Sequence, residues 1–201
     1  MGELGMARKK EVSREKILDI AYKMAINDGL DGITARNIAK AGHFSTQPLY
    51  LEFENMDEIK SEILRRISTD LKEHTLQKKF TGKPLIDLDL SYINFSKQHT
   101  KLFKAMFVDG KFGSEIIEGT LLELGTEKFK EQYPDRNFDD EKLHQIIVFN
   151  WINTIGLTAL IVNEIAHFEQ EQVINVLQSQ ISQAINNDEF AVDESNPLNL
   201  S

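Results

Sequence analysis

The chain has 201 residues, 41% of them apolar, with four prolines and eleven glycines, a composition that can bury a core and excludes a disordered or fibrous chain. It has no cysteine, which removes disulfides, thiolate metal sites and cysteine nucleophiles. The net charge of −9 is unevenly spread: residues 1–50 hold eight Lys/Arg against six Asp/Glu, whereas Leu143 to Ser201 hold no Lys or Arg and seven Asp/Glu, so a polyanionic partner fits one end only.

The opening MGELGMARKKEVSREK has no apolar run. A secretory signal is therefore not expected, and the cytoplasm is the expected compartment. Helical periods then dominate. Ser13 is the expected N-cap of a first helix carrying Ile17, Leu18, Ala21, Met24 and Ala25 at helical spacing, with Gly29 as its left-handed stop. Thr34 is the expected cap of a short second helix over 35–41, broken by Gly42 and His43. Ser45 is a cap candidate for a third short helix over 46–50, with Pro48 tolerated in its first turn. Asn55 and Glu58 resemble a capping box, and Ile59, Ile63, Ile67 and Leu71 form one stripe of a fourth helix. Further helices are expected near 84–99, 101–109, 113–132, 138–166 and 169–187. No alternating β-branched run is present, so the expected fold class is all-α. The polar, acidic end, 188–201, reads as a loose tail.

From Leu143 to Asn163 there are 21 residues without a formal charge. That length can span a membrane. Gln145, Asn150, Asn153, Thr154 and Thr158 interrupt it, and no Lys or Arg follows to anchor it. A buried helix is the expected reading, and burial on every side in so small a chain points to a partner subunit.

Two short helices joined by a tight turn and held by a third make a helix-turn-helix, whose second short helix enters the DNA major groove. The residue types over 33–53 suit that task. Thr34 offers a hydroxyl and a helix N-terminus to phosphate, with Arg36 beside it. Ser45, Thr46, Gln47 and Pro48 open the third helix. Gln47 can pair with adenine, and Thr46 can donate, accept or touch a thymine methyl. Tyr50 sets a phenol on an apolar body, suited to phosphate. The alternative is a polar helical hairpin in an all-helical protein.

The run R-x-x-I-L-x-x-A at Arg14–Ala21, then Gly29, Thr34, IAKAGHFSTQPLY and Phe53 resemble the DNA-binding region of the TetR (tetracycline repressor-like) family over roughly residues 12–60. Trp151 to Leu160 is similar to a pattern in that family's second-to-last helix. The resemblance implies an N-terminal three-helix helix-turn-helix domain over 1–60, followed by a helical ligand-binding and dimerisation domain over 61–187. It implies a homodimer through the helices spanning about 138–166 and 169–187. It implies a transcriptional regulator, most often a repressor, that leaves an imperfectly palindromic double-stranded operator when a small-molecule effector fills the body. Thr34, Thr46, Gln47 and Tyr50 sit where relatives commonly contact DNA. Three positions depart: His43 replaces the usual glycine of the turn, Met56 stands where a lysine is frequent, and Glu52 where a basic or aromatic residue is frequent. The RKK arm, Arg8 to Lys10, is the candidate compensation. The same fold without an inducer, as a structural or cell-cycle DNA-binding protein, is the alternative, and a helical interaction module is a third.

No GxSxG, P-loop or GxGxxG occurs, and none of the five histidines has ligand spacing with another, so neither an enzyme nor a metal or cofactor site is expected. Asp139 and Asp140 read as a helix start. Phe103, Met106, Phe107 and Phe112 are either core or the apolar wall of a ligand pocket. Asn150, Asn153 and Thr154 could supply that pocket's polar groups or hydrogen-bond across a dimer.

Overall fold

A computed structural model of the chain describes residues 12–108 and 114–186. Among these residues there are nine α-helices and no strand: α1 Arg14–Asp28, α2 Ala35–Gly42, α3 Gln47–Glu52, α4 Met56–Glu73, α5 Pro84–Gln98, α6 Thr100–Phe103, α7 Ser114–Gln132, α8 Asp140–Val162 and α9 Gln170–Asn186. The fold is all-α, as the periodicity predicts. The expected helix over 101–109 is a short α6 that continues as a π turn over Lys104–Val108. The expected tail, 188–201, and the arm Arg8 to Lys10 lie outside the described residues.

Helix starts fall where a side chain can take an orphan backbone N–H. Ser13 Oγ accepts from the Lys16 N–H at 3.3 Å, Thr34 Oγ1 from Asn37 at 3.2 Å, and Asp139 Oδ1 from Lys142 at 2.8 Å. The capping box at Asn55 is half as expected. Asn55 Oδ1 accepts from the Glu58 N–H at 2.9 Å, but Glu58 Oε2 reaches past it to the Glu54 N–H at 2.6 Å. Helix α3 departs from expectation: it begins at Gln47, its cap residue is Thr46, and no side chain caps it. Ser45 is therefore not the cap. Thr46 sits in the right-handed helical region rather than the extended one, so its hydroxyl is not turned back onto the first turn.

The chain divides into two compact units. One runs to Ile67 and includes the segment from Lys101; the other comprises Ser68–Thr100 and the segment from Ser114. The sequence expectation ends the head at residue 60. The first unit is built on Ile17, Leu18, Ala21 and Ala25 of α1, Ile38 and Ala39 of α2, Leu49 of α3 and Ile59 and Ile63 of α4, all buried. Arg14 ties three of these elements together. Its guanidinium lies over the Phe53 ring at 4.1 Å, donates to the Glu52 carbonyl at 2.6 Å and pairs with Glu58 at 2.8 Å.

The second unit centres on α5, of which eleven residues are buried. Asp87 at its first turn accepts from Thr81 N–H and Oγ1, each at 2.7 Å, and from the Gly82 N–H at 3.1 Å, fixing the loop that leads in. Helix α8 is long and apolar enough to cross a membrane by length and composition. It packs against α5, α7 and α9, and a third of its apolar window is buried, not every side of it.

Candidate nucleic-acid interface

Helix α2 ends at the departure residue. His43 has φ 56° and ψ 43°, the left-handed conformation, and Phe44 N–H reaches back to the Ala39 carbonyl at 3.0 Å. This is the Schellman arrangement, with histidine where glycine is most favourable. The glycine beside it has a different duty. A Cβ on Gly42 would collide with the Phe44 ring, so Gly42 is the seat on which that ring lies. The sequence alone marks both residues as helix breakers and does not distinguish the two roles.

Helix α3 shows one face to each side. Leu49 is fully buried, while Thr46 and Gln47 are exposed, Tyr50 is 59% exposed and Leu51 is 76% exposed. Thr34, Arg36 and Ser45 are also exposed, and Pro48 is half-buried in the first turn of α3. Arg36 makes no ion pair among the described residues. The seven residues expected to meet DNA, Thr34, Arg36, Ser45, Thr46, Gln47, Pro48 and Tyr50, all lie in the first unit. A broad open groove of about 980 Å³ borders the start of α3, lined among others by Lys16, His43, Phe44, Ser45, Gln47 and Leu51.

Glu52 is held by its backbone, because its carbonyl takes the Arg14 bond, and its side chain is half-buried. Glu58 is a carboxylate kept below its usual pKa, first by the Glu54 N–H and then by Arg14. At the α3–α4 junction Arg14 pairs with Glu58. Met56 opens α4 and brings no positive charge there.

The residues expected to line a ligand pocket are not gathered in one unit. Phe103 and Met106 are buried in the first unit, and Asn150, Asn153 and Thr154 belong to the second. Phe112 and the side chain of Phe107 lie outside the described residues. The expected polar lining is also already engaged. Asn150 Nδ2 donates to both oxygens of Asp89, at 3.0 and 3.2 Å. Gln180 Nε2 donates to Asn150 Oδ1 at 2.9 Å and to Thr154 Oγ1 at 3.0 Å. Asn153 Nδ2 donates to the Phe149 carbonyl of its own helix at 2.7 Å. Burial pushes the Asp89 carboxyl up to about 8, against the pull of its bonds from Asn150 and Thr154. Asp89 and Gln180 escape a reading by sequence pattern. The available signal is an aspartate inside the apolar run LIDLDLSYI, which is costly to bury unless something pairs with it.

Clefts in the second unit have volumes of about 210, 80 and 10 Å³. The smallest adjoins Asp89, Tyr92, Asn150 and Trp151; it is too small for more than a water molecule.

No family model matches the chain, and no curated protein matches it. Solved structures do. The crystal structure of a tetR-family transcriptional regulator from Streptomyces coelicolor is similar with a TM-score of 0.67 and 16% identity, over 88% of this chain and 84% of its own. A transcriptional regulator from Rhodococcus sp. Rha1 is similar with a TM-score of 0.58 and 16% identity, over 86% of this chain and 95% of its own. At that identity the likeness is one of fold, and this chain is folded like these two proteins.

Proposed function

We propose that the chain is a dimeric, sequence-specific DNA-binding transcriptional regulator and not an enzyme. The observation that carries this reading is α3. Its buried side is anchored by Leu49, and its exposed side offers Thr46, Gln47 and Tyr50 without an internal cap bond. A six-residue helix with that division fits the major groove, with Gln47 and Thr46 on base edges and Tyr50 on phosphate. Thr34 adds a helix N-terminus and hydroxyl for a neighbouring phosphate, and Arg36 adds charge. Pro48 stiffens the first turn, and Ser45 leads into it.

Dimerisation is supported by α8 and α9. Ile152, Gly156 and Leu160 recur every four residues on the exposed side of α8, and Val176 with Ser179 and Gln183 on that of α9. None of these carries a charge, in a protein of net charge −9. A charge-free stripe of this kind suits a twofold interface. Two heads held at fixed spacing then read an imperfect palindrome.

Repression relieved by a small molecule is the finer reading, and it comes from the fold family. A second reading, DNA binding without an inducer, draws support from the body, whose Asn150 and Thr154 are engaged with Asp89 and Gln180. The test is selection from a random duplex pool with the full chain. The expected result is enrichment of a two-part, imperfectly palindromic site bound by a protein dimer, with affinity falling steeply as salt rises. No enrichment over unselected DNA would overturn the reading in favour of a helical interaction module. If a site is selected, a gel shift challenged with metabolite extracts separates the inducible from the inducer-free regulator.

A further inference from the structure

The 210 Å³ cleft of the second unit has a chemistry of its own. One face of α5, Leu90, Ile93, Asn94 and Lys97, meets Phe168, Gln170 and Val173 from the turn between α8 and α9 and the start of α9. The floor is apolar: Leu90, Ile93 and Val173 are buried. The walls are two phenyl rings that remain partly open to solvent, Phe80 at 44% and Phe168 at 37%. A lone exposed phenylalanine needs no explanation, but two facing one concavity with an aliphatic floor make a hydrophobic slot.

The rim is polar and one-signed. The Lys97 side chain is exposed and its ammonium makes no ion pair or hydrogen bond among the described residues, and no carboxylate is among the lining side chains. Asn94 Oδ1 accepts from Gln98 Nε2 at 3.5 Å, which leaves its Nδ2 as a donor. Gln170 brings a second amide. An ammonium and two amide donors match the two oxygens of a single carboxylate. They do not match a cation, and one ammonium is a poor match for a dianion.

We propose that this cleft binds a free, medium-chain aliphatic carboxylate, its chain on Leu90, Ile93 and Val173 between the two rings and its head on Lys97. Binding itself does not depend on the regulator reading. Any effect of the ligand on DNA does.

The probe is sodium octanoate below its micellar concentration, titrated into the full chain by calorimetry and by ¹⁵N-resolved NMR. The expected result is saturable binding, one per protomer, with shifts at the Asn94 and Gln170 side-chain amides. Octylammonium should not bind, and octanol should bind more weakly than octanoate. Lys97→Met keeps the length and apolar stem and should weaken octanoate at least about tenfold while leaving octanol unchanged. Ile93→Asn should weaken both. Non-saturable octanoate binding, equal binding of octylammonium, or an unchanged affinity in Lys97→Met would each overturn the proposal. A gel shift with and without octanoate is a separate arm: loss of operator affinity bears on the regulator reading, and its absence leaves the binding site intact.

Discussion

The two units use polar residues in opposite ways. In the first, Thr46, Gln47 and Tyr50 stand outward from a six-residue helix, and the core behind them is entirely aliphatic and aromatic. In the second, the most conspicuous polar residues turn inward. Asp89, Asn150, Thr154 and Gln180 are buried on three helices and satisfy one another. A surface built for recognition leaves donors and acceptors open to a partner. A buried network closes them, and so fixes how α5, α8 and α9 meet. Substitutions should separate the two by what they damage: binding in the first unit, folding in the second.

The largest effect is expected where recognition and core meet. Leu49→Ala empties a fully buried site and should cost about 2–5 kcal/mol of stability. In a thermal melt followed by circular dichroism, α3 should be lost before the second unit. A melt unchanged by this substitution would mean that α3 is not anchored through Leu49.

Next comes the buried network. Asn150→Leu removes the donor to Asp89 and the acceptor for Gln180, and should cost about 1–3 kcal/mol in urea unfolding. Its affinity for DNA, measured on the folded fraction, should not change. A loss of specific affinity without a loss of stability would break the contrast between the units.

Asp89 also predicts a pH dependence. Its carboxyl titrates near 8 in the folded chain and near its ordinary 3.8 when unfolded. Between those values the folded state holds one more proton, so stability falls as pH rises from about 4 to about 8 and levels off above. Asp89→Asn should remove that slope. Urea midpoints from pH 5 to 9 for both proteins measure it, and parallel curves would contradict the assignment.

The smallest effect is at the turn. His43 is left-handed, a conformation that disfavours a side chain. His43→Gly should therefore relieve strain, partly offset by the greater freedom of glycine when unfolded, for a net gain of at most about 1 kcal/mol. Chemical unfolding of the two proteins checks the sign.

Much of the first unit was legible in the sequence because its signals are local. Caps at Ser13, Thr34 and Asn55 lie within three residues of the N–H they accept from, and left-handed φ at His43 follows from the tight turn that ends α2. The start of α3 was misplaced because Thr46 caps through its backbone position alone, which leaves no side-chain signature. The second unit was less legible because its key contacts are distant. Asp89 and Asn150 are 61 positions apart and Asn150 and Gln180 are 30 apart. No window of helical periodicity connects them. Asn150 and Thr154 read either as pocket polar groups or as bonds across a dimer because their actual partners, Asp89 and Gln180, are on other helices. Lys97 carried no signal either, since a lysine near a helix end is ordinary until Phe80 and Phe168 are seen beside it.

The central claim, that α3 reads base edges, is tested most directly by Gln47→Ala on the selected duplex and on unselected duplex at one salt concentration. The account predicts a loss of about 1–3 kcal/mol on the selected site, almost none on unselected DNA, and a change in stability within about 0.5 kcal/mol. An equal loss on both duplexes, or none on either, would contradict it.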